Sequence, residues 1–154
     1  MKTLVIGLGN PILGDDGVGW KVAQQLGGLI DRHSAVEIDC ASLGGLSLME
    51  RMLGYQHVIL IDSMDTGQDP QGCVKVFPLA DLENPYAGHS ASAHDASLST
   101  ALQAARSIGA EIPSRVEVVS IEAQNVYDFS VSLSPPVEQA VSLAAKEVLK
   151  LLDK

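Results

Sequence analysis

Leu4 to Gly19 reads LVIGLGNPILGDDGVG. Leu4, Val5, Ile6 and Leu8 make a short apolar run interrupted by Gly7 and Gly9, the pattern of a strand buried on both faces that ends in a turn. Gly9, Asn10 and Pro11 turn the chain, Gly14 and Gly17 permit conformations that other residues resist, and Val18, Val22 and Leu26 begin one face of a helix. Asp15 and Asp16 thus stand at the mouth of a strand-loop-helix unit, where open α/β sheets hold their ligands. Turn punctuation by the glycines and helix capping by the aspartates would account for the same letters. A dinucleotide fingerprint would not. After Gly7-Leu8-Gly9 the third glycine is absent, and two acids occupy the place of approaching phosphates.

Working outward, the chain alternates strand-like and helix-like segments. Ala35 to Ala41 reads as a second strand with Asp39 near its carboxyl end, and Leu46, Met49 and Leu53 recur at helical spacing beyond Gly44-Gly45. His57 to Asp62 (HVILID) is the clearest strand, closing on an acid. Gly72 to Pro78 alternates as a strand exposed on one face, and its link from Asp62 is too short for a crossover helix. It is therefore expected to run antiparallel to its predecessor. Residues 79–95 read as a loop carrying His89 and His94. A helix follows on Leu98, Leu102, Ala105 and Ile108, closed by Gly109. Val116 to Ile121 is a further strand, leading to Glu122. Ser134 is expected to cap a final helix with Pro135 at its first position and a stripe from Val137 to Leu152. The pattern predicts one domain over 1–154, a three-layer α/β/α sandwich around a mostly parallel, mixed twisted sheet.

Composition narrows the classes of function. The 154 residues suffice to bury roughly two-thirds of the unfolded surface. A formal charge of −9 offers no footprint for nucleic acid or anionic membrane. No apolar run is long enough for a bilayer span or a signal-peptide core, so a cytoplasmic location is expected. Cys40 and Cys73 lie far apart and outside any metal-finger spacing, and read as reduced thiols.

Asp16, Asp39 and Asp62 each fall at or just after a strand's carboxyl end, and the loop carrying His94 can fold over that edge. Acids gathered there repel one another unless a cation or basic group joins them. Carboxylates with an imidazole suit a divalent ion such as nickel or zinc. Singly, each has a plainer use as turn former or helix start, and His33, His57 and His89 show no partner. Serine catalysis lacks a G-x-S-x-G elbow, and a strand cysteine such as Cys40 is ordinarily inert.

Five blocks in register carry a resemblance. GLGNPILGDDGVG at 7–19, IDCASLGGL at 38–46, HVILIDSMDTG at 57–67, SAHDASL at 92–98 and LSPPV at 133–137 resemble the hydrogenase maturation endopeptidases, from about Leu4 to Leu152. The resemblance implies metal-binding positions at Asp16, Asp62 and His94, the first of which is Glu in some relatives. It implies a recognition or polarising role for Asp39. The implied activity is removal of a C-terminal extension from a nickel-iron hydrogenase large-subunit precursor once nickel is inserted. Nickel on the substrate would act as a checkpoint, with water as nucleophile and a monomer sufficient. His89 is the alternative to His94. Peptidyl-tRNA hydrolase shares GLGNP, but Leu13-Gly14-Asp15-Asp16 stands where that family supplies its histidine, and an acidic loop opposes RNA. A non-catalytic metal- or precursor-binding module on the same fold is the rival of a different class.

Overall fold

The computed structural model describes residues 1–31, 34–83 and 93–154, apart from the side chains of 83 and 93–97. Strands β1 (Thr3–Leu8), β2 (Val36–Ala41), β3 (His57–Met64), β4 (Val74–Pro78) and β5 (Arg115–Glu122) form one sheet in the order β2-β1-β3-β5-β4. All neighbours are parallel except β4, which runs antiparallel to β5. The sheet is mixed, as the short link after Asp62 predicts. The partner of β4 is β5, however, which stands between β4 and its predecessor β3. Of these five strands, β1 and β3 are buried along their whole length, which matches their continuous apolar runs.

Side-chain alternation sends the two halves of each strand's residues into separate layers. Val5, Ile59, Ile61, Val119 and Ile121 pack under α1 (Val18–Gly27) and α4 (Pro135–Leu152), against Val22, Leu26, Val141 and Val148. Leu4, Ile6, Val58, Leu60 and Val118 face the opposite way, toward α2 (Gly45–Met52) and α3 (Ala93–Ser107). Each fully buried side chain of this size contributes about 1.5–3 kcal/mol. The three-layer α/β/α arrangement follows.

Helix faces depart from the sequence reading in two places. The buried stripe of α2 is Leu48, Met49 and Met52, leaving Leu46 exposed and Leu53 just outside the helix. Three neighbouring positions at i, i+1 and i+4 already fill the face toward the sheet. Helix α3 begins at Ala93, so His94 belongs to its first turn rather than to a loop, and its burial is carried by Leu98, Ala101 and Ala105. Ile108 follows the helix and points into solvent, ahead of the turn made by Gly109 at φ +80°. His57 also differs from expectation. It is buried at the start of β3, with Nε2 2.8 Å from a Glu117 carboxylate oxygen that lies two residues past its rung on β5.

Candidate active site

The chain leaves β1 through α1 toward β2, then crosses through α2 on the other face to reach β3. The carboxyl ends of β1 and β3 therefore flank the point where the strand order switches, the place at which such sheets open a crevice. Asp62 lies one residue beyond the Gly7–Ile61 rung, and Asp16 lies on the loop leaving β1.

Glycines set how closely that loop and α1 approach the sheet. A Cβ on Gly19 would stand 2.4 Å from the Ile61 carbonyl oxygen and 2.5 Å from that of Leu8, so only glycine lets α1 lie directly on the central strands. At Gly9, φ is +120° and a Cβ would stand 1.9 Å from the Asp16 carbonyl oxygen. The loop consequently doubles back on the end of β1. A single 3-10 turn, Gly14–Gly17, then joins it to α1, and neither aspartate caps that helix.

The adjacent acids have separate tasks. Asp15 is fully buried, and its carboxylate accepts hydrogen bonds from the Ser134 backbone N–H (2.7 Å) and hydroxyl (2.8 Å). Ser134 occupies the N-cap position of α4 but makes no side-chain cap bond, because its hydroxyl is spent on Asp15. Asp15 N–H in turn donates to the Asn125 carbonyl, and Gly14 N–H to that of Ser130. The loop is thereby tied to the segment between β5 and α4. Asp16 bonds toward β3 instead. Its Oδ2 accepts from Asn10 N–H at 2.8 Å and its Oδ1 from the Ser63 hydroxyl at 3.3 Å.

Ser63 also donates its backbone N–H to Asp62 Oδ1 at 2.9 Å. One residue thus touches both carboxylates, Asp62 buried and Asp16 half-buried. The backbone and hydroxyl donors offset part of the repulsion between two nearby anions, and a cation in the crevice would offset more. Ser63 thus links Asp16 and Asp62, 46 positions apart, by one bond to each, and the His94 side chain lies outside the described residues. His89 and His33 lie outside them as well. Among the described residues, no three His, Cys, Asp or Glu side chains form a group able to hold a metal.

Asp39 takes a different position. It registers with Ile6, two rungs before the end of β2, and its Oδ2 accepts from Arg51 Nε of α2 at 3.0 Å. Arg51 also reaches Tyr55 and Glu37, so Asp39 belongs to a half-exposed charged cluster on the α2 side. Glu122, at the end of β5, is buried and engaged by the Thr66 N–H and hydroxyl, which fixes the turn after β3. Burial pushes the Cys40 thiol up from its ordinary range, and the Asp39 charge adds to that. A neutral thiol is a poor nucleophile.

The sequence profile of the hydrogenase maturation proteases (HycI) matches residues 21–151. The chain belongs to the hydrogenase maturation protease family. Members of that family process hydrogenase large-subunit precursors. The hydrogenase 2 maturation protease of Escherichia coli is 28% identical over 153 residues, covering 99% of this chain and 91% of the relative. The hydrogenase expression/formation protein HupD of Rhizobium leguminosarum is 23% identical, covering 98% and 74%. The solved hydrogenase maturating endopeptidase HybD of E. coli superposes with a TM-score of 0.81 at 25% identity, over 99% of this chain and 93% of that one. HybD of Thermococcus kodakarensis shares the fold, with a TM-score of 0.74 at 22% identity over 98% and 99%. The matched profile begins after the Asp16 loop, whereas the full-length relatives span it.

Sequence reasoning did not single out Ser63, Asn10 or the Asp15–Ser134 pair. Ser63 had one available signal, its place directly after the acid that ends the clearest strand. Asn10 reaches Asp16 across six residues of one loop through its backbone N–H, which any residue but proline supplies, and the Asp15–Ser134 pair joins segments 119 residues apart, so neither has a local signature.

Proposed function

We propose that this protein is an endopeptidase that removes the C-terminal extension of a nickel-iron hydrogenase large-subunit precursor after nickel insertion. The observation that carries this reading is the meeting of Asp16 and Asp62 at Ser63, at the switch point of the sheet. In the proposal Asp16, Asp62 and His94 take up open positions on the nickel already held by the substrate. A precursor lacking nickel then lacks the ion that docks it, which makes the metal a checkpoint.

Nickel here is cargo of the substrate, and the chain's residues hold and orient it. Donation from Asn10 N–H and from Ser63 holds the two carboxylates in place. Water attacks the scissile carbonyl beside them, one proton passes to a neighbouring carboxylate, and the amine leaves with a proton returned. Asp39, with Arg51, is assigned to recognition of the cleaved segment from the β2 side. The protein acts in the cytoplasm as a one-domain monomer. Among the described residues no helix is long and apolar enough to cross a membrane.

The test is incubation with nickel-loaded and nickel-free precursor, followed by mass spectrometry of the released tail. Cleavage of the loaded form alone is expected. Equal cleavage of both overturns the checkpoint, and stable capture of the precursor without release of a tail would make the protein a binding module.

A further inference from the structure

The loop that carries Asp16 is flanked by an apolar surface that the site description leaves unused. Ile12 is 51% exposed, and Tyr127, Phe129 and Val131 are 83%, 86% and 71% exposed. These side chains come from two segments held together by backbone bonds. Ser130 N–H donates to the Ile12 carbonyl at 3.0 Å and Gly14 N–H returns to the Ser130 carbonyl at 2.9 Å, with a parallel bridge between Leu13 and Ser130. The platform thus begins four residues before Asp16 and is anchored from below by Asp15 on Ser134.

Aromatic side chains standing this far into water cost solvation unless something covers them. Complete burial of one removes about 150–250 Å². At the exposures given, Tyr127 and Phe129 supply roughly 250–400 Å², between a third and a half of the ~800 Å² that each partner contributes to a standard interface. Between Gln124 and Ser134 the only charged residue is Asp128, in a chain whose formal charge is −9. A partner landing there meets an apolar surface in the midst of an acidic one, so its matching segment is apolar and unburdened by acids. The loop is pinned by its backbone bonds, so little ordering cost opposes binding.

We infer that Ile12, Tyr127, Phe129 and Val131 form the docking platform for an apolar surface segment of the hydrogenase precursor, seating it so that the metal-bearing end of the substrate reaches Asp16. This rests on the protease reading above. It adds that affinity for the precursor resides largely outside the metal-binding acids. A second copy of the chain seated there would shut off the Asp16 loop, which makes self-association the competing occupant for the experiment to separate.

The experiment measures equilibrium binding and cleavage of nickel-loaded precursor by the wild type, by a Tyr127→Ser/Phe129→Ser double variant and by Ile108→Ser. Ile108 is 84% exposed but precedes the start of β5, at the opposite edge of the sheet. The double variant should bind roughly thirtyfold or more weakly, as removal of aromatic anchors does, while keeping the wild-type urea midpoint. The Ile108→Ser protein should bind as the wild type does. If the wild type cleaves and the double variant binds equally well, the platform is refuted and the protease reading stands. If the wild type itself neither binds nor cleaves the loaded precursor, the protease reading fails and takes this inference with it. Sedimentation showing a wild-type dimer that the double variant dissociates would assign the surface to self-association and overturn the proposal.

Discussion

Neighbouring aspartates with opposite duties predict opposite phenotypes. Asp15→Asn keeps volume and one acceptor oxygen, but replaces the other by an amide that cannot accept from Ser134. One of the two charge-assisted bonds, at 2.7 and 2.8 Å, is lost and the other is weakened to a neutral one. Bonds to a charged group are worth about 1.5–3 kcal/mol each, and relief from burying the charge returns part of this. The net cost should be about 2 kcal/mol. For a chain of this length that lowers the melting temperature by roughly 4–8 °C. Ser134→Ala removes only the hydroxyl bond and should cost about 1.5 kcal/mol. The pair shares an interaction, so the double variant should be more stable than additivity predicts, by about 1 kcal/mol or more in urea titrations. Asp16→Asn is different. Its carboxylate is half-buried and its contact to Ser63 is long, so stability should change by less than about 1 kcal/mol while precursor processing is abolished. Additive effects of Asp15→Asn and Ser134→Ala, or a larger stability loss from Asp16→Asn than from Asp15→Asn, would refute the division of labour.

Further expectations follow from packing and charge. Gly19→Ala places a methyl against two backbone oxygens that cannot swing aside, and should destabilise by about 2–3 kcal/mol in thermal denaturation. Gly27→Ala meets nothing within 4 Å and should leave stability level or raised by about 0.5 kcal/mol, measured the same way. For Glu117, burial raises the carboxyl, but hydrogen bonds from Arg115 and His57 outweigh it and hold the group below its ordinary 4.5. A depressed carboxyl contributes stability above its unfolded value and loses it as pH falls through the folded one. Glu117→Gln should therefore flatten the loss of stability below about pH 4.5, read from urea midpoints between pH 3 and pH 6. Cys40, with its raised thiol, should alkylate more slowly at pH 7.5 than cysteine in a short peptide, and faster once Asp39→Asn removes the adjacent charge.

The fold could be read from the sequence wherever one local force dominated. The β1 and β3 runs read as buried strands from their apolar continuity, whereas the glycines between Gly7 and Gly19 fit turn punctuation as well as close approach, and only the contacts of Gly9 and Gly19 decide between the two. The α4 stripe from Val137 to Leu151 follows a single period and is buried as that period requires. Other features depended on tertiary choice. Which strand β4 joins is set by where β5 returns, not by the short link after β3. Met52 outcompetes Leu53 for the α2 interface because helical rotation, not hydrophobicity, decides which of two adjacent apolar residues faces inward. Within the site, strand-end position alone drew attention to Asp16, Asp39, Asp62 and Glu122 alike. The structure separates them by their partners. Asp16 and Asp62 meet at Ser63, Asp39 is held by Arg51, and Glu122 is held by Thr66. No property of an isolated Asp or Glu records which donor will find it.

Crystals soaked in a divalent nickel salt, with anomalous diffraction collected at the nickel edge, test the central claim most directly. The account predicts one strong peak in the crevice beside Ser63, within ligating distance of Asp16, Asp62 and His94 and lost on Asp16→Asn. A peak elsewhere, or an empty crevice with the site open to solvent and its acids ionised, would contradict the assignment of these residues as the nickel-recognising set.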